Sequence, residues 1–226
     1  MSNFSNSRLI SLTRLSPHRN SPRNQPIRKI TIHHTAGNIG LEALGDWLSR
    51  PTTQASYNYG ISTDGRIGLF VEERNRSWAS SSGLNDHQAI TIGVANNTGA
   101  PNWTVSDRAY ASLIELCVDI CQRNRIPRLT YDGTANGTLT RHNFFSNTSC
   151  PGPFLQRRFP QIADEVNRRL RPDPPRTPEE ITVDNALADG IIGDRAHWLG
   201  VLNGTIRPVP AYIAGMMRNA HNIISR

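Results

Sequence analysis

Short stretches in which hydrophobic and polar residues alternate predict the strands of a sheet. KITIHH (29–34) places Ile30 and Ile32 on one face and ends in two histidines. YNYGIS and RIGLFV flank Asp64-Gly65, a pair that tolerates the positive φ of a tight turn, so these stretches predict a hairpin. The remaining predicted strands are AITIGVAN (89–96) and TLTRH (138–142).

Apolar residues spaced three and four positions apart predict the helices. LEALGDWLS (41–49) ends before a proline, and a long helix begins after Ser106, a favourable N-cap. Cys117 and Cys121 share one face of that helix, where we interpret them as small buried side chains rather than a metal pair. A last helix covers about 154–170, with a break near its single proline. Because strands and helices alternate, the predicted fold class is α/β with a single sheet.

A change in composition after residue 168 divides the chain. Four prolines fall within seven residues there, which predicts a semi-rigid linker. The amphipathic stretches beyond it suffice for two or three helices, a unit so small that we expect it to dock, self-associate or bind a partner. The predicted organisation is a basic N-terminal arm at 1–28, a main domain at 29–170, a linker at 171–180 and a small all-α domain at 181–226.

The N-terminal arm carries much of the positive charge. Residues 1–28 are polar, lack a period and hold five arginines without an acid. This pattern predicts an extended arm wrapped over the domain or a flexible lead, with regular order beginning at Lys29. The net charge of +7 favours an anionic partner, and nucleic acid, phospholipid and the polymers of a bacterial wall all meet that requirement. Because the arm lacks interleaved aromatic residues on which bases would stack, we expect no nucleic-acid partner.

The composition also indicates where the protein works. No stretch approaches the roughly 18 apolar residues of a membrane span, so we expect none. The first 20 residues lack the continuous apolar segment of a secretion signal, and no signal peptide is expected. Three cysteines cannot form an even set of disulfides, which predicts folding in a reducing compartment.

His33, His142 and Cys150 form the most informative set of residues. Each histidine ends a predicted strand, and the cysteine follows in a loop before Pro151-Gly152. Two imidazoles and a thiolate suit zinc, and three protein ligands leave a fourth position for water or substrate, as in catalytic zinc sites. Spacing alone does not place these residues together, so the flanking stretches carry the interpretation.

Three stretches in order, I-T-I-H-H-T-A-G, S-Y-N-Y-G-I-S-T-D-G-R and R-H-N-F-F-S-N-T-S-C-P-G, resemble the zinc-dependent N-acetylmuramoyl-L-alanine amidases of type 2. That family includes phage lysozyme-like amidases and peptidoglycan recognition proteins. The resemblance covers roughly residues 27–170 and looks closest to amidase endolysins of phages or prophages of Gram-positive bacteria. It implies a single mixed central β-sheet flanked by helices.

The resemblance implies roles for individual residues. The metal ligands for Zn²⁺ are His33, His142 and Cys150, and the catalytic candidates are Tyr57 and Thr148. A glycine, Gly93, stands on the strand where many related amidases carry a glutamate thought to act as base. This difference shifts the proton-handling or donor role to Tyr57 and leaves open whether Glu72 or Asp86 is the base.

Four further residues are candidates for the substrate groove. Trp78, Asn85 and Trp103 fall in predicted loops, where they either line a groove for glycan or stem peptide or pack at its rim. His34 should point away from His33 along an extended strand, so we interpret it as a structural residue or as a support for the groove.

The resemblance implies a peptidoglycan hydrolase that uses zinc-activated water to cleave the amide between N-acetylmuramic acid and L-alanine. As an endolysin it would wait in the host cytoplasm and reach a Gram-positive wall at lysis, with 181–226 binding a wall polymer or a second copy. Two alternatives stay open. One is a peptidoglycan-binding protein without catalysis, although inactive relatives typically lack the cysteine that is present here, and the other is a host autolysin with the same reaction.

Overall fold

The computed structural model describes residues 4–171, 177–208 and 210–224. The chain forms two compact units, Met1–Arg171 and Pro172–Arg226. The first unit contains a six-stranded mixed sheet flanked by helices, and the described residues of the second form three helices. The predicted fold class, a single mixed sheet with helices and a small all-α addition, is confirmed.

The strands of the first unit build one large and one small sheet. The large sheet has the order β1-β5-β4-β7-β3-β8, in which the β4–β5 hairpin is antiparallel, as predicted, and the other neighbours are parallel. Strands β2 and β6 form a separate antiparallel pair. The strands are β1 Ile10–Thr13, β2 Arg19–Asn20, β3 Lys29–His34, β4 Tyr59–Ile61, β5 Ile67–Leu69, β6 Arg76–Ser77, β7 Ala89–Val94 and β8 Leu139–Arg141.

The helices follow the predicted periodicity. The Ser106 hydroxyl accepts a hydrogen bond from the N–H of Ala109 and caps the longest helix, which buries Cys117 and Cys121 as free thiols. The break predicted within 154–170 separates two helices. The helices of this unit are α1 Leu41–Ser49, α2 Gly83–Gln88, α3 Asp107–Asn124, α4 Gly152–Gln156 and α5 Phe159–Leu170.

The two faces of the central sheet differ in polarity. Ile30 and Ile32 of β3 pack into the main hydrophobic cluster together with residues of α3 and α5. On the other face, Thr31 pairs in register with Thr91 of β7 and Thr140 of β8, and all three are fully buried. The hydroxyls of Thr31 and Thr140 lie 2.8 Å apart and bond to each other. Across β3, β7 and β8 this row of the second face is therefore polar and buried, and its threonine hydroxyls are hydrogen-bonded.

The N-terminal segment belongs to the folded domain. We expected order from Lys29, and this is wrong, because β1 pairs with β5 at the edge of the sheet and β2 pairs with β6. Arg23 is buried, and its guanidinium donates to five backbone carbonyls, those of Glu73, Asn75, Asp86, His87 and Ala89. Such pairing leaves no periodic pattern in the sequence, so the arm resembled a loop.

The second unit begins earlier than the sequence suggested. The predicted linker covers 171–180, of which 172–176 lie outside the described residues, and α6 already starts at Pro178. Proline is favourable in the first turn of a helix, and Thr177 with Glu180 forms a capping box there. The helices of this unit are α6 Pro178–Ala188, α7 Arg195–Leu202 and α8 Pro210–Ile224. None of the described helices in either unit is long and apolar enough to cross a bilayer.

Replacement of Arg23 by alanine should strongly destabilise the first unit. The change removes the donor to five backbone carbonyl groups in a buried position, so we expect the free energy of unfolding to fall by about 3 kcal/mol or more. Urea denaturation followed by circular dichroism measures the loss. Arg8→Ala is the matched control, because Arg8 is exposed in the same segment and should change stability by less than about 0.5 kcal/mol. Equal midpoints for the two variants would contradict the assigned role of Arg23.

Candidate metal centre

Three residues far apart in the sequence meet at one edge of the sheet. His33 is the penultimate residue of β3, His142 directly follows β8, and Cys150 lies in the loop before α4. Because β3 and β8 are parallel, their carboxyl ends reach the same edge. One ligand atom from each of the three side chains lies within 4.8 Å of the others, as metal binding requires.

The geometry and the donor set fit a zinc ion. Cys150 Sγ and His33 Nδ1 are 3.8 Å apart, close to the roughly 3.5 Å that separates sulfur and nitrogen ligands around a tetrahedral zinc. The Nε2 atom of His142 is buried without a hydrogen-bond partner. Buried polar atoms are normally satisfied, so this cluster has unused capacity to bind a ligand.

Burial controls the ionisation of the three groups. It lowers the pKa of His33 well below its usual value and also lowers the pKa of His142, so both imidazoles are neutral near pH 7. Burial raises the pKa of the Cys150 thiol to about 12. Neutral imidazoles are ready to act as ligands, whereas the thiol becomes a thiolate ligand only when a cation stabilises its charge.

Backbone contacts hold the Cys150 side chain beside β3. Its sulfur lies 3.4 Å from the N–H of His34, which donates to it. The N–H of Cys150 in turn donates to the Thr148 hydroxyl at 3.2 Å. Thr148, predicted as a catalytic residue, therefore helps to shape the loop that presents the cysteine.

Tyr57, the other catalytic candidate, lies against the cluster. Its ring centroid is 5.3 Å from that of His33, and the residue also packs on the hydrophobic cluster formed by α1 and Phe70. Burial raises the pKa of Tyr57, so its hydroxyl keeps its proton at neutral pH and can donate a hydrogen bond.

The two acids considered as a base are bound elsewhere. Asp86 is buried and accepts hydrogen bonds from the N–H groups of Ala79 and Ser80 and from the Ser80 hydroxyl. Glu72 forms a salt bridge with Arg74. Within the described residues, the metal-binding cluster contains no carboxylate.

The residues proposed for the groove have different surroundings. Trp103 packs edge-to-face on His34 at 5.0 Å, next to the loop of Cys150, so this pair borders the centre. The indole N–H of Trp78 donates to Asn20 of the N-terminal segment at 2.7 Å. Asn85, expected in an exposed loop, is instead buried in α2, and this expectation is wrong.

Sequence reasoning missed the polar support beneath the centre. Asn85 donates to the Thr31 hydroxyl at 2.9 Å, and Thr31 lies two positions before His33, on the same face of β3. Thr91 lies two positions before Gly93 in the neighbouring strand and bonds to Asn58. The sequence signal for this polar support is the shared pattern of a threonine two positions before the site residue, T-I-H in β3 and T-I-G in β7.

Comparisons with known proteins identify relatives of the main domain. The N-acetylmuramoyl-L-alanine amidase family (Amidase_2) matches residues 23–153. Among solved structures, PlyL is 14% identical with a TM-score of 0.54 over 69% of this chain and 95% of its own. The catalytic domain of XlyA is 18% identical with a TM-score of 0.54, over 69% and 97%. Staphylococcus aureus hydrolase AmiA, in complex with its ligand, is 16% identical with a TM-score of 0.55, over 70% and 82%. These likenesses show the fold, and no functionally curated protein matches the sequence.

Proposed function

The chain belongs to the N-acetylmuramoyl-L-alanine amidase family, and we propose that it is a zinc-dependent endolysin that cleaves the amide between N-acetylmuramic acid and L-alanine in peptidoglycan. Membership of this family supports the amidase activity and peptidoglycan of the cell wall as the substrate. The observation that carries the finer proposal is the cluster of His33, His142 and Cys150, whose ligand atoms lie within 4.8 Å of one another. Among the described residues, this is the one group of three or more histidine, cysteine or acidic side chains that could hold a metal ion.

Zinc, when bound, supplies a Lewis acid that polarises the scissile carbonyl and lowers the pKa of a water molecule. His33, His142 and Cys150 would hold it and leave one tetrahedral position for the reacting groups, which is typical of catalytic sites. The hydrogen-bonded row beneath His33 and the contact from the His34 N–H to Cys150 keep two of these ligands in place. Such preorganisation means that little reorientation is needed when substrate arrives.

Tyr57 is proposed to donate a hydrogen bond to the amide oxygen as negative charge develops on it. Its ring is fixed against His33, and burial keeps its hydroxyl protonated. The Thr148 oxygen accepts from Cys150, which leaves its O–H free to act as a second donor. With Asp86 and Glu72 bound elsewhere, donor stabilisation rather than a carboxylate base is the role we assign to this chain's own side chains.

The proposed setting is a phage or prophage endolysin that is made in the host cytoplasm and reaches a Gram-positive wall at lysis. A solved structure described as a mutant endolysin from Bacillus subtilis shares the fold at 16% identity and a TM-score of 0.54. The net charge of +7 also suits the anionic polymers of such a wall. A host autolysin would perform the same chemistry in another setting.

The second unit is proposed to pair two copies of the chain. Among the described residues, its buried hydrophobic side chains are Val183 and Ile192, whereas many large ones are exposed. Met217 on α8 is 65% exposed. A unit with so little core gains stability by covering apolar surface. The exposed set is Ile181, Leu187, Leu202, Ile206, Tyr212, Ile213, Met217 and Ile223.

Cys150→Ala should abolish zinc binding and amidase activity together. Purified Gram-positive peptidoglycan is digested with native, chelated and zinc-restored protein, and new amino-terminal alanine and new reducing sugars are measured. We expect alanine without reducing ends, lost on chelation and in the variant. Cys117→Ala, which removes a buried thiol of α3, is the matched control and should keep zinc and activity. Turnover by Cys150→Ala would refute the zinc proposal, and wall binding without any product would favour the non-catalytic alternative.

Tyr57→Phe should keep zinc but lose rate by on the order of a hundredfold, because one donor to the developing charge is removed. Zinc content by atomic absorption and initial rates on soluble muropeptide measure the two effects. Tyr110→Phe, a half-buried tyrosine of α3 that packs on the main hydrophobic cluster, should leave both unchanged. An active Tyr57→Phe enzyme would show that the hydroxyl has no part in the reaction.

Met217→Asp should convert a dimer of 25.1-kDa chains into monomers, because a charge is placed in the paired apolar surface. Sedimentation velocity of the full chain measures the state. Leu84→Asp is the control, since Leu84 is 75% exposed in the first unit and should not alter it. If the native chain is a monomer and Met217→Asp weakens its pelleting with walls, self-association is refuted and the second unit binds the wall instead.

A further inference from the structure

Three glycines lie side by side across the sheet, in the same row as His33. Gly93 of β7 pairs with His33 of β3, Gly60 of β4 pairs with Gly93, and Gly68 of β5 pairs with Gly60. Residues directly opposite one another in a sheet point their side chains to the same face. From β5 to β7, this row of the face that carries His33 therefore has no side-chain atoms of its own.

Two aromatic rings occupy the space left by the glycines. A Cβ at Gly60 or Gly68 would lie 2.6 or 2.9 Å from ring atoms of Phe70. A Cβ at Gly93 would lie 2.8 Å from Cδ2 and 2.9 Å from Cε2 of Tyr57. Real Cβ contacts are essentially never this short, and none of these three glycines has a positive φ. Space, rather than backbone conformation, is what requires glycine here.

The ring over Gly93 is the ring beside the metal centre. Tyr57 packs over Gly93 of β7, and its ring centroid lies 5.3 Å from that of His33, which pairs with Gly93 itself. The ring also packs on the cluster of α1 and Phe70, so a displacement of Tyr57 would disturb that packing. Any side chain at position 93 would therefore move the Tyr57 hydroxyl relative to His33.

We propose that Gly93 is a positioning residue that seats Tyr57 at the metal centre, so that the two positions act as one unit. The inference rests on the proposed function of Tyr57.

The experiment is a double-mutant cycle of Gly93→Ala and Tyr57→Ala in the full chain, with kcat, KM, zinc content and unfolding midpoint measured for each variant. Gly93→Ala should lower kcat at least about tenfold with KM nearly unchanged and zinc retained, because misplacement of a donor mainly affects the transition state. In the Tyr57→Ala background, where the space is vacated, Gly93→Ala should cost neither further kcat nor stability.

Gly60→Ala is the matched control. Its new Cβ would meet Phe70 as closely as the one at 93 meets Tyr57, in the same row of the sheet. We expect it to lower the unfolding midpoint and to affect kcat per folded molecule far less than Gly93→Ala does, because its new Cβ meets Phe70 rather than the ring that contacts His33. A merely structural role for Gly93 predicts that Gly93→Ala and Gly60→Ala behave alike, with reduced stability and normal kcat.

The outcomes separate the inference from the function on which it rests. Independent, additive losses of kcat from Gly93→Ala and Tyr57→Ala, or a normal kcat for Gly93→Ala, would overturn the positioning role. If Gly93→Ala fails to fold, the variant that combines Gly93→Ala with Tyr57→Ala is the test. If this double variant folds as Tyr57→Ala does, the steric conflict between the two positions is supported. If it also fails to fold, that conflict is refuted. If Tyr57→Ala alone leaves kcat unchanged, the proposed function of Tyr57 fails, while the stability cycle still tests the contact.

Discussion

The register of β3 between its two parallel neighbours is the constraint on which the site depends. Both faces of β3 are buried, one against apolar residues and one in a hydrogen-bonded polar layer. A slip of one residue would place Ile32 in the polar layer and His33 in the hydrophobic cluster. Each error leaves a buried group without suitable partners, so the polarity difference between the faces fixes where His33 stands relative to His142 and Gly93.

The N-terminal segment stabilises the same register from the other end of the sheet. Arg23 binds the carbonyls that lead into β7, including that of Ala89, its first residue. Burial lowers the pKa of Arg23 to about 10, which leaves it charged at neutral pH and able to hold several carbonyl dipoles at once. The strand that carries Gly93 is thus fixed at its start by a side chain and along its length by β3 and β4.

The sequence predicted local features well and long-range ones poorly. Alternation in KITIHH and the Asp64-Gly65 turn gave β3 and the hairpin, and Ser106 gave the start of α3, because each depends on neighbours in the chain. The approach of His142 and Cys150 to His33 came only from resemblance to a family. The edge strand β1 depends on pairing with a distant strand, and the burial of Asn85 depends on Thr31, so neither has a local signal.

The pairing of β3 with β8 also sets the order of events during folding. The hydroxyls of Thr31 and Thr140 meet although the two residues are 109 positions apart, so this contact is among the most non-local in the domain. Such a contact carries the loop-closure entropy of a long segment, which other packing must offset. During synthesis β3 leaves the ribosome well before β8, so the edge of β3 that pairs with β8 has no partner strand until β8 has been synthesised. The metal centre is therefore completed only when almost the whole first unit has left the exit tunnel.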